Sequence, residues 1–384
     1  MRILKQIQGQ MMLKRSLGLL FFSLMLIYPI ESISGTFAYI ANSGNGFPGN
    51  VSVIDVGSNL VVATIPIGDP NNNSPNGVSV SPDGARVYVT DGNGNSVSVI
   101  STHNNQVIKN IPVGNYPTGI AVSPDGSKVY VANANDGTVS VIDSVTFSVI
   151  GSPIGVGSGP KSGPQGVSVS PDGAKVYVAN QHDGTVSVIN SATNVVGNPI
   201  TVGALPYGVA VSPNGNMVYV TNNGDNPGSV SVISLNGTSV TPVTVGSRPE
   251  GVAVSPDGSR VYVVNDGNST VSVINALATP APIVTNTINI NYNNDAAGPV
   301  GISLTPDGSK IYVANSTTDN VSVVNSLTNS IMGSPITVGP SPQAFGNFIA
   351  VVPSSIPVLS EWVKISLAIM VFGLVFWFQR RESD

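Results

Sequence analysis

Side chains able to move a proton or attack a carbonyl are scarce in this sequence. Its two histidines are His103, in STHNNQ, and His182, in NQHDGT. Cysteine is absent, which removes disulfides, thiolate nucleophiles, Cys-bound zinc, iron–sulfur clusters and CxxCH haem attachment. Glu250 follows Arg248 by two residues in SRPEG, a carboxylate and a guanidinium able to act on one small polar molecule if the fold aims both at it. Aspartate and asparagine recur in short loops, at Asp91, Asn135 with Asp136, Asp183, Asn223 with Asp225, Asp266 and Asp319. Such oxygens suit calcium, but none follows EF-hand spacing or the GGxGxDxUx nonapeptide, and turn formation accounts for them without a metal. No catalytic residue, metal ligand or cofactor is therefore assigned from residue type alone.

The elements that must position these groups are strands. Residues 77–100, GVSVSPDGARVYVTDGNGNSVSVI, hold three short runs in which valine recurs at every second place, the period of a β-strand. SPDG joins the first two: Pro82 presets its φ, Asp83 bonds nearby backbone and Gly84 accepts positive φ. SPDG or a close variant returns at 81, 123, 170, 212, 255 and 305, at spacings of 42, 47, 42, 43 and 50 residues. A VYVAN-like strand follows each copy, at 87, 129, 176, 218, 261 and 311, and a VSVI-like strand follows that. Four strands in 40 to 50 residues is the arithmetic of a propeller blade. The composition agrees: 42 Gly and 29 Pro in 384 residues, with only 9% charged, describe a turn-rich chain of short strands.

Six copies do not exhaust the region. FAYIAN, VSVIDV and VVATIPI, within residues 37–67, supply the last three strands of a unit that lacks its first, and PQAFGNFIAVV, residues 342–352, supplies a first strand with nothing after it. Joined, they predict a seventh blade. The expected fold is thus all-β: a seven-bladed propeller of four-stranded antiparallel blades over residues 36–352, closed by a clasp of N-terminal and C-terminal strands, so that no blade edge is left free. These near-copies resemble the YVTN-repeat β-propellers of surface-layer and surface-antigen proteins. A WD40 propeller is excluded, since Trp362 and Trp377 both lie beyond the repeats, and immunoglobulin-like domains would need a unit about twice as long.

In such a blade the SPDG turns share one face, while the crossovers between blades share the other with the B–C loops that join second and third strands. Each crossover ends in Pro-x-Gly or a variant, placing x at the mouth of the central channel. The ring reads Asn76, Thr118, Gln165, Tyr207, Glu250, Val300 and Gln343, with Arg248 and Lys161 close by. It is a mostly neutral hydrogen-bonding ring with one carboxylate, suited to a small polar molecule or a sugar. His182 falls on this face and His103 on the other, so they cannot share a metal. Copper-binding propeller relatives place several histidines at the mouth, which disfavours that cofactor here.

The chain ends differ from the middle. Residues 1–35 carry Lys14 and Arg15, the apolar run SLGLLFFSLMLIYPI, then small residues at Ser32 and Ser34, the pattern of a cleaved export signal, with translation starting at Met1, Met11 or Met12. Residues 353–384 form a linker and an apolar stretch from Ile365 to Phe378 ending at Arg380 and Arg381, a hydrophobic helix that would anchor the protein with its basic end in the cytoplasm. Ile356, Pro357, Leu359, Glu361, Trp362, Arg380 and Arg381 resemble the IPTL-type C-terminal sorting signal of bacteria.

Between residues 36 and 352, 8 Lys or Arg stand against 16 Asp or Glu, a formal charge of −8 that argues against nucleic acid as a partner. The expectation is a monomeric, exported propeller held at the bacterial envelope or surface, which presents loops to a protein or glycan without catalysing a reaction. The competing expectation is an envelope hydrolase resembling the seven-bladed lactonases, acting at the mouth through Glu250, Arg248 or His182.

Overall fold

The computed structural model describes residues 35–352 except 45–47, 70, 72, 235–238 and 293–294. Residues 1–34 of the expected export signal and the whole segment from 353, with its sorting box and hydrophobic helix, lie outside the described residues. Among the described residues no helix is long and apolar enough to cross a membrane.

The described strands form seven antiparallel sheets. Blades are numbered here from the sheet that contains Gly35–Asn42. In blade 3, Pro117–Val122 lies innermost and is followed outward by Lys128–Asn133 and Thr138–Asp143. The fourth strands vary, for a reason visible in the sequence. Leu60–Pro66, Gln106–Pro112 and Ile283–Asn289 run unbroken, whereas blades 3, 4 and 7 carry Gly-Ser-Pro or Gly-Asn-Pro at 151, 197 and 333 and keep only two-residue fragments such as Ile200–Thr201. In blades 3 and 7 the glycine before that proline, Gly151 at φ +66° and Gly333 at φ +70°, turns the chain out of the strand.

The second strand is the buried axis of each blade. Lys128–Asn133 is buried from Val129 onward, on both faces, because a neighbouring blade covers each. Its tyrosine and its six equivalents, Tyr39, Tyr88, Tyr177, Tyr219, Tyr262 and Tyr312, are among the largest fully buried side chains. Tyr130 packs with Ala132 and Val139 against Val176, Val178 and Ile189 of the next blade, so the core lies between sheets. A single sheet has no way to cover these residues, which is why the repeat must stack.

Polar contacts stitch the blades together. In blades 2 and 3 the basic residue that opens the second strand reaches a turn carbonyl of the next blade: Arg86 to Ser144 O at 2.9 Å, Lys128 to Ser191 O at 2.8 Å. Between blades 7 and 1, Lys310 Nζ reaches Val56 O at 2.7 Å and the Tyr312 hydroxyl donates to Asn59 Oδ1 at 2.6 Å. Within a blade, the terminal asparagine of the VYVAN strand is fully buried and donates from Nδ2 to a serine on the third strand, as Asn133 does to Ser140 Oγ at 2.9 Å. Blade 2 has Asp91 instead, which has no N–H to donate, and its Ser98 turns to Asn110 Oδ1 at 2.8 Å.

Blade 1 is built from both ends of the described chain. Ile349–Val352 is its inner strand, in antiparallel register with Gly35–Asn42: Gly35 faces Val352 and Ala38 faces Ile349.

Candidate functional site

The SPDG turns do what their residues imply. Ser123 Oγ donates to Asp125 Oδ1 at 2.5 Å, Ser127 N–H donates to the same oxygen at 3.0 Å, and Gly126 takes φ +72°. Those bonds, Ser123's foremost, hold the Asp125 carboxyl down to about 2.

At the opposite end of the channel, the glycine of Pro-x-Gly has a role that local turn chemistry does not reveal. A Cβ on Gly119 would stand 2.2 Å from Gln165 O, and one on Gly208 2.4 Å from Glu250 O. In blades 2 to 7 the backbone of the inner strand is pressed against the carbonyl of residue x in the next blade, a distance that leaves no room for a Cβ, whereas blade 1 carries Ala344 at this place. The x residues therefore form a contiguous ring, but their side chains diverge. Thr118 is buried, its hydroxyl donating to Pro164 O at 3.1 Å, and Val300 is buried as well. Thr118 therefore does not present to the mouth the hydroxyl that its ring position suggested. Gln165 donates to Gln181 Oε1 at 3.2 Å and Gln343 to Ser341 Oγ at 3.3 Å, while Asn76 is half-buried. Tyr207 stands edge-on to Phe345 with ring centroids 5.0 Å apart at 89°.

Glu250 is the mouth's carboxyl. Burial pushes it up to about 7, against the opposing pull of the Arg248 guanidinium and a hydrogen bond from Asn223. Arg248 itself is ion-paired with Asp266 on the B–C loop. His182 Nδ1 lies 3.0 Å from Lys161 O, so this histidine holds a loop. The Asp and Asn residues of the B–C loops fasten the crossovers: Asp136 Oδ2 accepts Asn115 N–H at 2.7 Å, Asp225 Oδ1 accepts Ala204 N–H at 2.9 Å and Asp319 Oδ1 accepts Ser341 N–H at 2.8 Å.

Two features had no clear signal in the sequence. The first is a plug. Pro342 bridges to Asn42 and Ile349 pairs with Ala38, so seven residue steps run beside four, whereas Pro117 to Val122 makes five steps beside four. The surplus bulges into the channel and bonds to blade 2: Val78 N–H donates to Phe345 O at 2.9 Å and Val80 N–H to Asn347 O at 3.0 Å. Beside Phe345 and Gly346 the throat narrows to a cavity of about 30 Å³ lined largely by the Pro-x-Gly glycines, room for little more than a water. The second is a rim. Tyr116, Leu205 and Arg248 each precede the proline of Pro-x-Gly in left-handed backbone, at φ 53°, 48° and 50°, where blades 4 and 7 use Gly163 and Gly298. Their side chains stay exposed: 39% for Tyr116, 41% for Leu205 and 63% for Arg248.

The pattern that defines the family described as Lactonase, 7-bladed beta-propeller matches residues 54–147. No curated protein matches significantly. Among solved structures, the periplasmic gluconolactonase of Pseudomonas aeruginosa superposes with a TM-score of 0.65 at 17% identity, over 83% of this chain and 100% of that one. Hydrazine synthase of Kuenenia stuttgartiensis gives 0.63 at 22%, over 73% and 96%. A catalytically inactive virginiamycin B lyase from Staphylococcus aureus, with quinupristin, gives 0.58 at 16%, over 70% and 85%. The likeness at these identities is one of architecture, and the chain is a seven-bladed β-propeller.

Proposed function

We propose that this chain is a binding propeller, exported and held at the bacterial envelope by its C-terminal segment, whose mouth face engages a protein or glycan. The rim carries this reading. A non-glycine residue in left-handed backbone costs on the order of 1–2 kcal/mol, and here that strain coincides with exposed Tyr, Leu and Arg side chains set round the mouth of the channel. Tyrosine and arginine are the types over-represented in binding surfaces, and a fixed proline after each of these residues reduces the freedom lost on binding. Export and anchoring rest on the sequence of the two ends. Glycan-array and pull-down screening of wild type against Tyr116→Ala and Arg248→Ala is the test: a ligand lost at least tenfold by either change supports the rim, and a ligand indifferent to both defeats it.

The family pattern and the gluconolactonase likeness favour a second reading, a lactone hydrolase at the same mouth. Glu250, with its carboxyl near 7 and Asn223 beside it, would serve as general base. Turnover of gluconolactone that Glu250→Gln reduces by two orders of magnitude or more would select this reading over the first.

A further inference from the structure

Below the plug, on the SPDG side, the channel widens again into a funnel of about 670 Å³. It is the reverse end of the molecule from the mouth, and the proposed rim plays no part in it. The volume falls within the range of pockets that hold drug-sized molecules. The lining contains valine, alanine, isoleucine, leucine, proline, glycine, serine, one threonine and one asparagine, and no charged side chain.

Its hydrogen-bonding capacity is uneven round the ring, and a Ser/Ala alternation decides it. Ser79 Oγ accepts the Val122 N–H of the next blade at 3.2 Å, and Ser168 Oγ accepts that of Val211 at 3.3 Å. Val169, Val254 and Leu304 occupy the same ladder position as Val122, opposite the first apolar residue of their own second strands. The preceding blades, however, present Ala121, Ala210 and Ala253 where Ser79 and Ser168 stand. The N–H groups of Val169, Val254 and Leu304 thus lack the serine acceptor that Val122 and Val211 have, and a donor needs an acceptor from elsewhere.

We propose that this funnel binds an uncharged, largely apolar small molecule bearing carbonyl or ester oxygens. Its body would fill the Val/Ala wall, and its oxygens would accept from Val169, Val254 and Leu304. A charged ligand would lose its hydration without gaining a counter-charge.

Camphor, a compact ketone, tests this by saturation-transfer NMR titration against the full chain, with camphorsulfonate as the charged control. Ala210→Trp fills the funnel, and the pair Ala121→Ser with Ala253→Ser caps two of the donors while leaving the volume nearly unchanged. Expected are saturable binding of camphor, at least tenfold weaker binding by Ala210→Trp, threefold or greater weakening by the serine pair, and at least tenfold weaker binding of the sulfonate. Camphor binding unchanged in a folded Ala210→Trp chain, no saturable transfer to wild type, or equal affinity for the sulfonate would overturn the proposal. Should Ala210→Trp fail to give a wild-type circular dichroism spectrum, the serine pair decides, and its indifference overturns the proposal alone.

Discussion

Six asparagines and one aspartate hold the same fully buried place at the end of the second strand, and that one difference carries charge into the core. Asp91 Oδ1 accepts the N–H groups of Ser74 and Gly94 at 2.8 and 3.1 Å, while Oδ2 has no hydrogen-bond partner. Burial raises its pKa, because a carboxylate shut away from water loses its hydration. The stability it contributes is complete below the unfolded carboxylate value and declines as pH rises through the folded one. Asp91→Asn, free to donate to Ser98 as its counterparts donate to their serines, should stabilise the propeller by about 1–2 kcal/mol at pH 7. Urea melts should show that gain vanish near pH 3. Glu250 obeys the same sign: with its carboxyl near 7, wild type should lose stability between about pH 5 and 8. Glu250→Gln should flatten that dependence in a thermal-melt series across the same window. Both positions were readable in the sequence, Asp91 as an exception to a repeat and Glu250 as the carboxylate of a neutral ring, but their burial was not.

Among the elements, the inner and second strands bear most of the packing. Tyr130→Ala removes a side chain lodged between two sheets and should destabilise by about 3–5 kcal/mol, read by urea denaturation. Gly119→Ala tests the backbone approach: a methyl 2.2 Å from Gln165 O forces two inner strands apart. The expected loss is about 1–3 kcal/mol, whereas Gly151→Ala, with nothing within 4 Å of its added carbon, should show only the smaller strain of its φ of +66°. The strand periodicity, the hairpins and the face to which each loop belongs were legible because each is a local property: Val at alternate positions, Pro-Asp-Gly in a turn. The Phe345–Asn347 plug was not, since its residues read as an ordinary inner strand until pairing at Asn42 and Ala38 exposes the surplus length.

At the scale of the molecule, the ring is continuous where blade 7 meets blade 1 and where Ile349–Val352 completes the sheet of Gly35–Asn42. A chain truncated after Asn347 would leave Gly35–Asn42 as an unpaired edge beside an apolar channel, a template for intermolecular pairing. It should elute as dimers or larger species in size-exclusion chromatography and unfold at lower urea than the full chain. A monomeric truncation with unchanged stability would show that the inter-blade contacts suffice by themselves.

The amino-acid sequence alone determined the repeat, its sevenfold count and the allocation of loops to the two faces, because 40- to 50-residue periodicity and turn chemistry are written in neighbouring residues. Tertiary structure decided which members of the mouth ring reach solvent, how narrow the throat becomes and that the wide cavity opens on the SPDG face. Those outcomes depend on how closely inner strands approach across a ring, between residues some 40 or more positions apart, and no local pattern encodes that distance.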